Sequence, residues 1–208
     1  MSSDIYRLFE NRRYWIFDLD GTLTLPIHDF AYIRRELDIP ETYDILEHLG
    51  SLEPPESARR HTLLDDIERR LAENAVAAHG LSDLLELLSE FDFHLGILMR
   101  NSREIAMMTL DVIGARSYFN DTYVLGRDDA PPKPDPSGIH YLLDQWGADS
   151  GQVVMVGDYL FDLQAGRNAG TATVHVGRPD AKRWPDVTDL AVENLADLAE
   201  MLVSCRDY

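Results

Sequence analysis

The run Tyr14-Trp15-Ile16-Phe17-Asp18-Leu19-Asp20-Gly21-Thr22-Leu23-Thr24 organises the rest of the chain. Its first half, Tyr14 to Leu19, is short, apolar and aromatic-rich, and it stops at a turn signal. It reads as a buried strand. Its end carries two carboxylates two residues apart. An extended chain sends alternate residues to one side, which brings Asp18 and Asp20 together, although the chain is already turning there. Gly21 permits the tight bend that follows. Ligands of open α/β sheets bind outside the carboxyl ends of strands. A carboxylate pair at this place is therefore a candidate for chemistry, against the bland alternative of an acidic turn cap.

Four further runs have strand character: Phe93–Met99, Thr122–Leu125, Val153–Val156 and Thr171–Val176. Near-continuous apolar strands suit a parallel sheet covered on both faces. Helical patterns separate them, at Leu81–Glu90, Glu104–Ile113, Ser137–Trp146, Asp162–Ala169 and Glu193–Val203. This alternation predicts a doubly wound α/β fold with right-handed crossovers. Between Leu25 and Gly80 the alternation stops, and three helical stretches are expected instead: Asp29–Leu37, Thr42–Leu49 and Glu56–Ala77. In the third, Leu64, Ile67 and Leu71 form an apolar stripe, with Arg59, Arg60, Arg69 and Arg70 off it. The expected organisation is an α/β core of residues 1–25 and 80–208, with a small helical cap of residues 26–79 inserted after the first strand. Hinges are expected near Leu25–His28 and Ala77–Leu81, with Pro26 and Gly80 as candidate hinge residues.

Charge narrows the functions. The 208 residues carry 19 Lys plus Arg against 37 Asp plus Glu, a net charge of −18. A surface this acidic opposes nucleic acids and anionic membranes, so neither is expected as a partner, and no protein partner is implied. No apolar run reaches the roughly 18 residues of a membrane span. The opening Met1-Ser-Ser-Asp-Ile-Tyr-Arg has no secretory pattern. The single cysteine, Cys205, makes no internal disulfide, which is compatible with a reducing compartment. A cytoplasmic protein is expected. An anionic substrate would then need a local device against the global repulsion. Only Lys133 and Lys182 among the 19 basic residues are lysines. Lys182 reads as a surface charge. Lys133 lies in Pro131-Pro132-Lys133-Pro134-Asp135-Pro136, where prolines hold the loop stiff. A lysine beside carboxylates offsets their repulsion and meets an anion as a point charge.

A further acidic string, Gly157-Asp158-Tyr159-Leu160-Phe161-Asp162, directly follows the Val153–Val156 strand. Asp162 either joins Asp158 in chemistry or caps the next helix. Carboxylates from two strand ends suit a hard cation such as Mg²⁺, which takes one or two of them together with waters and substrate phosphate.

These three strings, in this order and spacing, resemble the haloacid dehalogenase superfamily of phosphotransferases, in its phosphoglycolate phosphatase-like subgroup. The resemblance runs from Tyr14 to about Val203. It implies a core sheet of the family's Rossmann-like kind and a helical cap. It also implies a Mg²⁺-dependent phosphatase of small phosphomonoesters, acting through an aspartyl-phosphate on a small phosphorylated metabolite. By the same resemblance, Asp18 is the nucleophile, Asp20 the general acid/base, and Lys133 the stabiliser of nucleophile and phosphate. The metal would be held by Asp18, Asp20 and Asp158, with Asp162 supporting or ligating. Leu19, Gly21, Met99, Arg100, Asn101 and Lys133 are expected around the phosphate. A sugar-phosphate mutase shares these motifs and is the alternative within the superfamily. A degenerate phosphate-binding module is the alternative from another class. Elementary chemistry supports the first reading: a carboxylate nucleophile splits hydrolysis into two displacements, and crowding beside another carboxylate raises the affinity of Asp20 for a proton.

One string departs from the family. In Leu98-Met99-Arg100-Asn101-Ser102, Met99 stands where a Thr or Ser hydroxyl usually binds phosphate, and a thioether cannot donate a hydrogen bond. Arg100 either adds a charged contact or lies on the rim. Asn101 stands three residues before Glu104, so Asn101 or Ser102 is expected to cap the following helix, whose N-terminus can face a phosphate. Tyr159 is larger than the Ser or Thr common after the last acidic motif. The seven histidines show no ligand spacing. His94 and His175 are expected in the core, and His28 and His48 in or beside the cap.

Overall fold

The computed structural model describes residues 8–204, so residues 1–7 and Cys205 lie outside the described residues. The strands are β1 (Tyr14–Phe17), β2 (His94–Leu98), β3 (Val124–Leu125), β4 (Val153–Gly157), β5 (Ala172–Val176) and β6 (Leu190–Val192). They form one parallel sheet in the order β3-β2-β1-β4-β5-β6. The helices are α1 (Phe30–Glu36), α2 (Ile45–Gly50), α3 (Pro54–Glu73), α4 (Leu81–Glu90), α5 (Arg103–Val112), α6 (Ser137–Trp146), α7 (Leu160–Ala169) and α8 (Leu195–Ser204). The fold is thus the expected α/β class with a helical insertion. No helix among the described residues is long and apolar enough to cross a membrane.

Strand alternation divides the core between the two faces. Trp15 and Phe17 are fully buried in one cluster with Leu84 and Leu88 of α4, Leu110 of α5 and Leu198 of α8. Ile16 points the other way, into a cluster with Ile139 and Leu142 of α6 and Ala165 of α7. Each such fully buried large side chain contributes about 1.5–3 kcal/mol. The strand β6 was not expected: it has three residues, and Leu190 and Ala191 are incompletely buried.

β1 occupies the middle of the sheet, with β2 on one side and β4 on the other. The strand order reverses between β1 and β4, so a crevice opens at their carboxyl ends. Asp18 and Asp158 are the first residues past these two ends.

The inserted helices share an apolar cluster of their own, with Ile33 and Leu37 against Leu49, Leu64 and Ile67. α3 begins at Pro54, two residues earlier than expected, because proline suits the first helical turn. It ends at Glu73 because the chain after it runs back to pair with the outgoing segment. Leu25 N–H donates to Val76 O at 2.8 Å, and Ala78 N–H donates to Leu23 O at 2.9 Å.

Gly80 is left-handed at φ +82°, and a β-carbon there would lie 2.1 Å from Ala196 N. Close packing against α8 is what requires glycine. His94 is exposed rather than in the core, stacking on Tyr14 with ring centroids 4.9 Å apart at the start of its strand. His175 is fully buried, with Nε2 3.1 Å from the Asp158 carbonyl oxygen.

Candidate active site

Asp18 is fixed by its backbone, whose N–H donates to Val156 O at 2.9 Å across to β4. Its carboxylate is buried, and Lys133 Nζ donates to Oδ1 at 2.5 Å. Lys133 is itself 2% exposed and lies 2.6 Å from Asp162 Oδ1. The stiff proline loop thus delivers one ammonium between a carboxylate at the end of β1 and one in the first turn of α7. Burial pulls that ammonium down, but Asp162 and Asp18 outweigh it and hold it above the usual lysine range.

Asp162 is not the first capping residue of α7, which is Tyr159, but it closes that end as the third helical residue of a capping box, so it takes part in capping as well as in the acidic cluster. The Tyr159 N–H donates to Asp162 Oδ2 at 3.0 Å, so both oxygens of Asp162 are engaged. Asp158 lies against Gly21. A β-carbon on Gly21, at φ +89°, would stand 2.4 Å from Asp158 Oδ2. The Gly21 N–H donates to Thr24 Oγ1 at 3.2 Å, so the contribution of Gly21 here is steric.

Asp18, Asp158 and Asp162 each offer an oxygen within 4.8 Å of the others. Three carboxylates face one lysine. Burial pushes the Asp18 carboxyl up, Lys133 opposes this, and Asp162 and Asp20 add to it. Burial also raises Asp158, with Asp18 and Asp162 adding repulsion. An oxygen-only, anionic set with too little positive charge fits a hard divalent cation, and the missing side chain of Gly21 leaves room for the Asp158 carboxylate within that set.

Asp20 corrects an expectation. Its carboxylate is not in that cluster: Asn101 Nδ2 donates to Oδ2 at 2.8 Å, and His28 Nε2 lies 3.9 Å from the same oxygen. Burial raises Asp20 to about 6, with Lys133 opposing. Asn101 therefore engages Asp20, while Ser102 is the residue that caps α5, accepting from Ile105 N–H at 3.4 Å.

Leu19 and Met99 are buried in the same apolar cluster as Phe17, so the Leu19 side chain is core and offers a ligand only its backbone. Arg100 reaches the inserted helices. Its Nη2 lies 2.8 Å from both oxygens of Asp44, and its guanidinium stacks 4.9 Å from the Phe161 ring centroid. Tyr159 is exposed, with its ring edge-on to Phe161 at 5.2 Å.

Sequence reasoning missed Arg127. It sits two residues past β3, and a basic residue just beyond a strand's carboxyl end is the signal that was there to read. Its Nη1 donates to Glu68 Oε1 at 3.1 Å, Nη2 lies 3.0 Å from Oε2, and Nη2 also donates to Asp65. Burial outweighs Arg127 and raises Glu68 to about 7. Between the core and the inserted helices lies a cavity of about 570 Å³, lined by Lys133, Arg100, Arg127, Asp44, His61 and Phe161 among others.

A family model described as haloacid dehalogenase-like hydrolase matches residues 15–176. A haloacid dehalogenase-like hydrolase domain-containing protein of Arabidopsis thaliana is 29% identical over 170 residues, spanning 76% of this chain and 68% of the relative. Pyrophosphatase PpaX of Listeria welshimeri is 28% identical over 179 residues, spanning 77% of this chain and 81% of the relative. The crystal structure of a predicted phosphoglycolate phosphatase from Haemophilus somnus superposes with a TM-score of 0.69 at 19% identity, covering 92% of this chain and 98% of the other. That likeness establishes the fold.

Proposed function

This chain belongs to the haloacid dehalogenase-like hydrolase family, and on that premise we propose that it is a Mg²⁺-dependent phosphatase of small phosphomonoesters acting through an aspartyl-phosphate. One observation carries the reading: the buried Asp18 carboxylate, at the carboxyl end of the central strand, lies 2.5 Å from buried Lys133 and within 4.8 Å of Asp158 and Asp162. The name of a relative called a pyrophosphatase adds support for phosphate chemistry.

In the first step an oxygen of Asp18 attacks phosphorus, and the bond from phosphorus to the leaving oxygen breaks. Asp20 gives that oxygen its proton. In the second step water attacks the acyl phosphate, Asp20 takes the proton back, and Asp18 is released with inorganic phosphate. A group that titrates near neutrality serves both steps, and burial brings Asp20 to about 6. Asn101 holds Oδ2 of Asp20 and leaves Oδ1 for the leaving oxygen. Lys133 keeps Asp18 oriented and faces the phosphoryl group as a point charge.

Mg²⁺ held by Asp18 and Asp158 would offset charge between the nucleophile and the phosphoryl group. Asp162, with both oxygens engaged, supports that set through Lys133 rather than completing it alone. Residues 26–79 act as a cap that excludes water from the acyl phosphate, turning about the paired segments at 23–25 and 76–78.

A screen of small phosphomonoesters, run with Mg²⁺ and with EDTA, tests this. Phosphate release that requires Mg²⁺ supports the reading. Release unaffected by EDTA, or absent for every ester, contradicts it.

A further inference from the structure

Three cations line the cavity between the core and the inserted helices, and they differ in how tightly each is committed. Lys133 is tied to Asp18 and Asp162 inside the chemistry. Arg127 is tied to Asp65 and to Glu68, and Glu68 is buried, so removing its cation would strand a charge. Arg100 is different in three ways. Asp44 meets it through a single nitrogen, Nη2. Its Nε is buried without a hydrogen-bond partner. And Asp44 has other donors, since its Oδ1 also accepts from the backbone N–H of Leu46 and of Glu47, at 3.1 and 3.2 Å.

A guanidinium offers five donors in a planar fork, and its strong contacts with carboxylate or phosphate use two of them side by side. Here the fork is spent on one nitrogen, and the unused Nε is already dehydrated. The guanidinium has a second support besides Asp44, since its carbon lies over the Phe161 ring, 4.9 Å from the centroid. Asp44 would keep its helix-capping bonds after giving up the arginine. We propose that Arg100 is the recognition point for a second anionic group on the substrate, a carboxylate or a second phosphoryl, and that Asp44 stands in for that group. The inference rests on the phosphatase reading and names the substrate class: phosphate esters or anhydrides whose leaving part is itself an anion. In a chain of charge −18, this also supplies attraction at both ends of such a substrate.

Calorimetric titration tests it, with the full chain carrying Asp18→Asn to prevent turnover and Mg²⁺ present. The probes are phosphoglycolate, pyrophosphate and ethyl phosphate. Phosphoglycolate or pyrophosphate should bind about tenfold to a hundredfold more tightly than ethyl phosphate, the scale of one added bond to a charged group. The two-ended probe that gains tells carboxylate from phosphoryl. Adding Arg100→Gln should erase that preference, weakening the two-ended probe far more than ethyl phosphate. Adding Asp44→Asn, which still caps its helix, should tighten the two-ended probe alone. Equal binding of all three probes before these changes overturns the inference. So does an Arg100→Gln variant that weakens all three alike, or an Asp44→Asn variant that leaves the two-ended probe no tighter. Wild-type turnover of any phosphomonoester reports separately on the phosphatase reading, because the binding preference is measured without turnover.

Discussion

A β-carbon on Gly21 would stand 2.4 Å from Asp158 Oδ2, so the turns after β1 and β4 meet through a residue with no side chain. The contact joins two strings 137 positions apart and sets where the Asp158 carboxylate can lie.

Gly21→Ala should therefore displace Asp158. The left-handed φ of +89° adds backbone strain of about 1–3 kcal/mol. We expect a folded protein whose Mg²⁺ affinity falls about tenfold to a hundredfold, the range seen when groups supporting a metal ligand are lost. Mg²⁺ titration by calorimetry checks this, with circular dichroism for the fold. Wild-type affinity in this variant would remove Asp158 from the metal site.

Stability should depend on pH and Mg²⁺ together. Burial holds Asp18 and Asp158 above ordinary carboxylate values in the folded state. Without metal, the native state then binds more protons than the unfolded state, and stability falls as pH rises through the window between the unfolded and folded values. Mg²⁺ competes with those protons, so its stabilisation should grow with pH. Thermal unfolding from about pH 5 to about pH 8, with Mg²⁺ or EDTA, measures both trends. A Mg²⁺ effect that is flat across pH would contradict the assigned ligands.

Met99→Thr should raise kcat/KM. Met99 is buried at the end of β2, next to the central strand that carries Asp18. A threonine there would offer phosphate a donor, worth about tenfold to a hundredfold. The smaller side chain leaves a cavity that costs about 2–5 kcal/mol if the site cannot collapse, an upper range taken from truncations to alanine. Steady-state kinetics and unfolding must be measured together. A folded variant with unchanged or lower kcat/KM would mean that other groups already supply the phosphate contact.

The central strands were legible because β1, β2, β4 and β5 are near-continuous apolar runs, and no other period competes with them. That Asp18, Asp158 and Lys133 would come together could be anticipated for a related reason: each stands at a strand end or in a stiff loop beside the same crevice. The strand β6 was hidden because an incompletely buried three-residue edge strand leaves almost no periodic signal. The end of α3 was misjudged because residues 74–78 are held by pairing with 23–25 rather than by helix propensity. The partners of Arg100 and Asn101 lie 56 and 81 positions away, and no local pattern encodes such distances. The packing of Gly80 against α8 was hidden because flexibility and close packing call for the same residue.

The most direct test looks for the covalent intermediate. Wild-type protein, quenched with acid during turnover of a good phosphomonoester substrate with Mg²⁺, should carry one phosphoryl group on the peptide containing Asp18. The adduct should be lost on treatment with hydroxylamine, as an acyl phosphate is, and should be absent from Asp18→Asn, which should not turn over. A phosphoryl group on another residue, or Asp18→Asn hydrolysing at the wild-type rate, would contradict the mechanism.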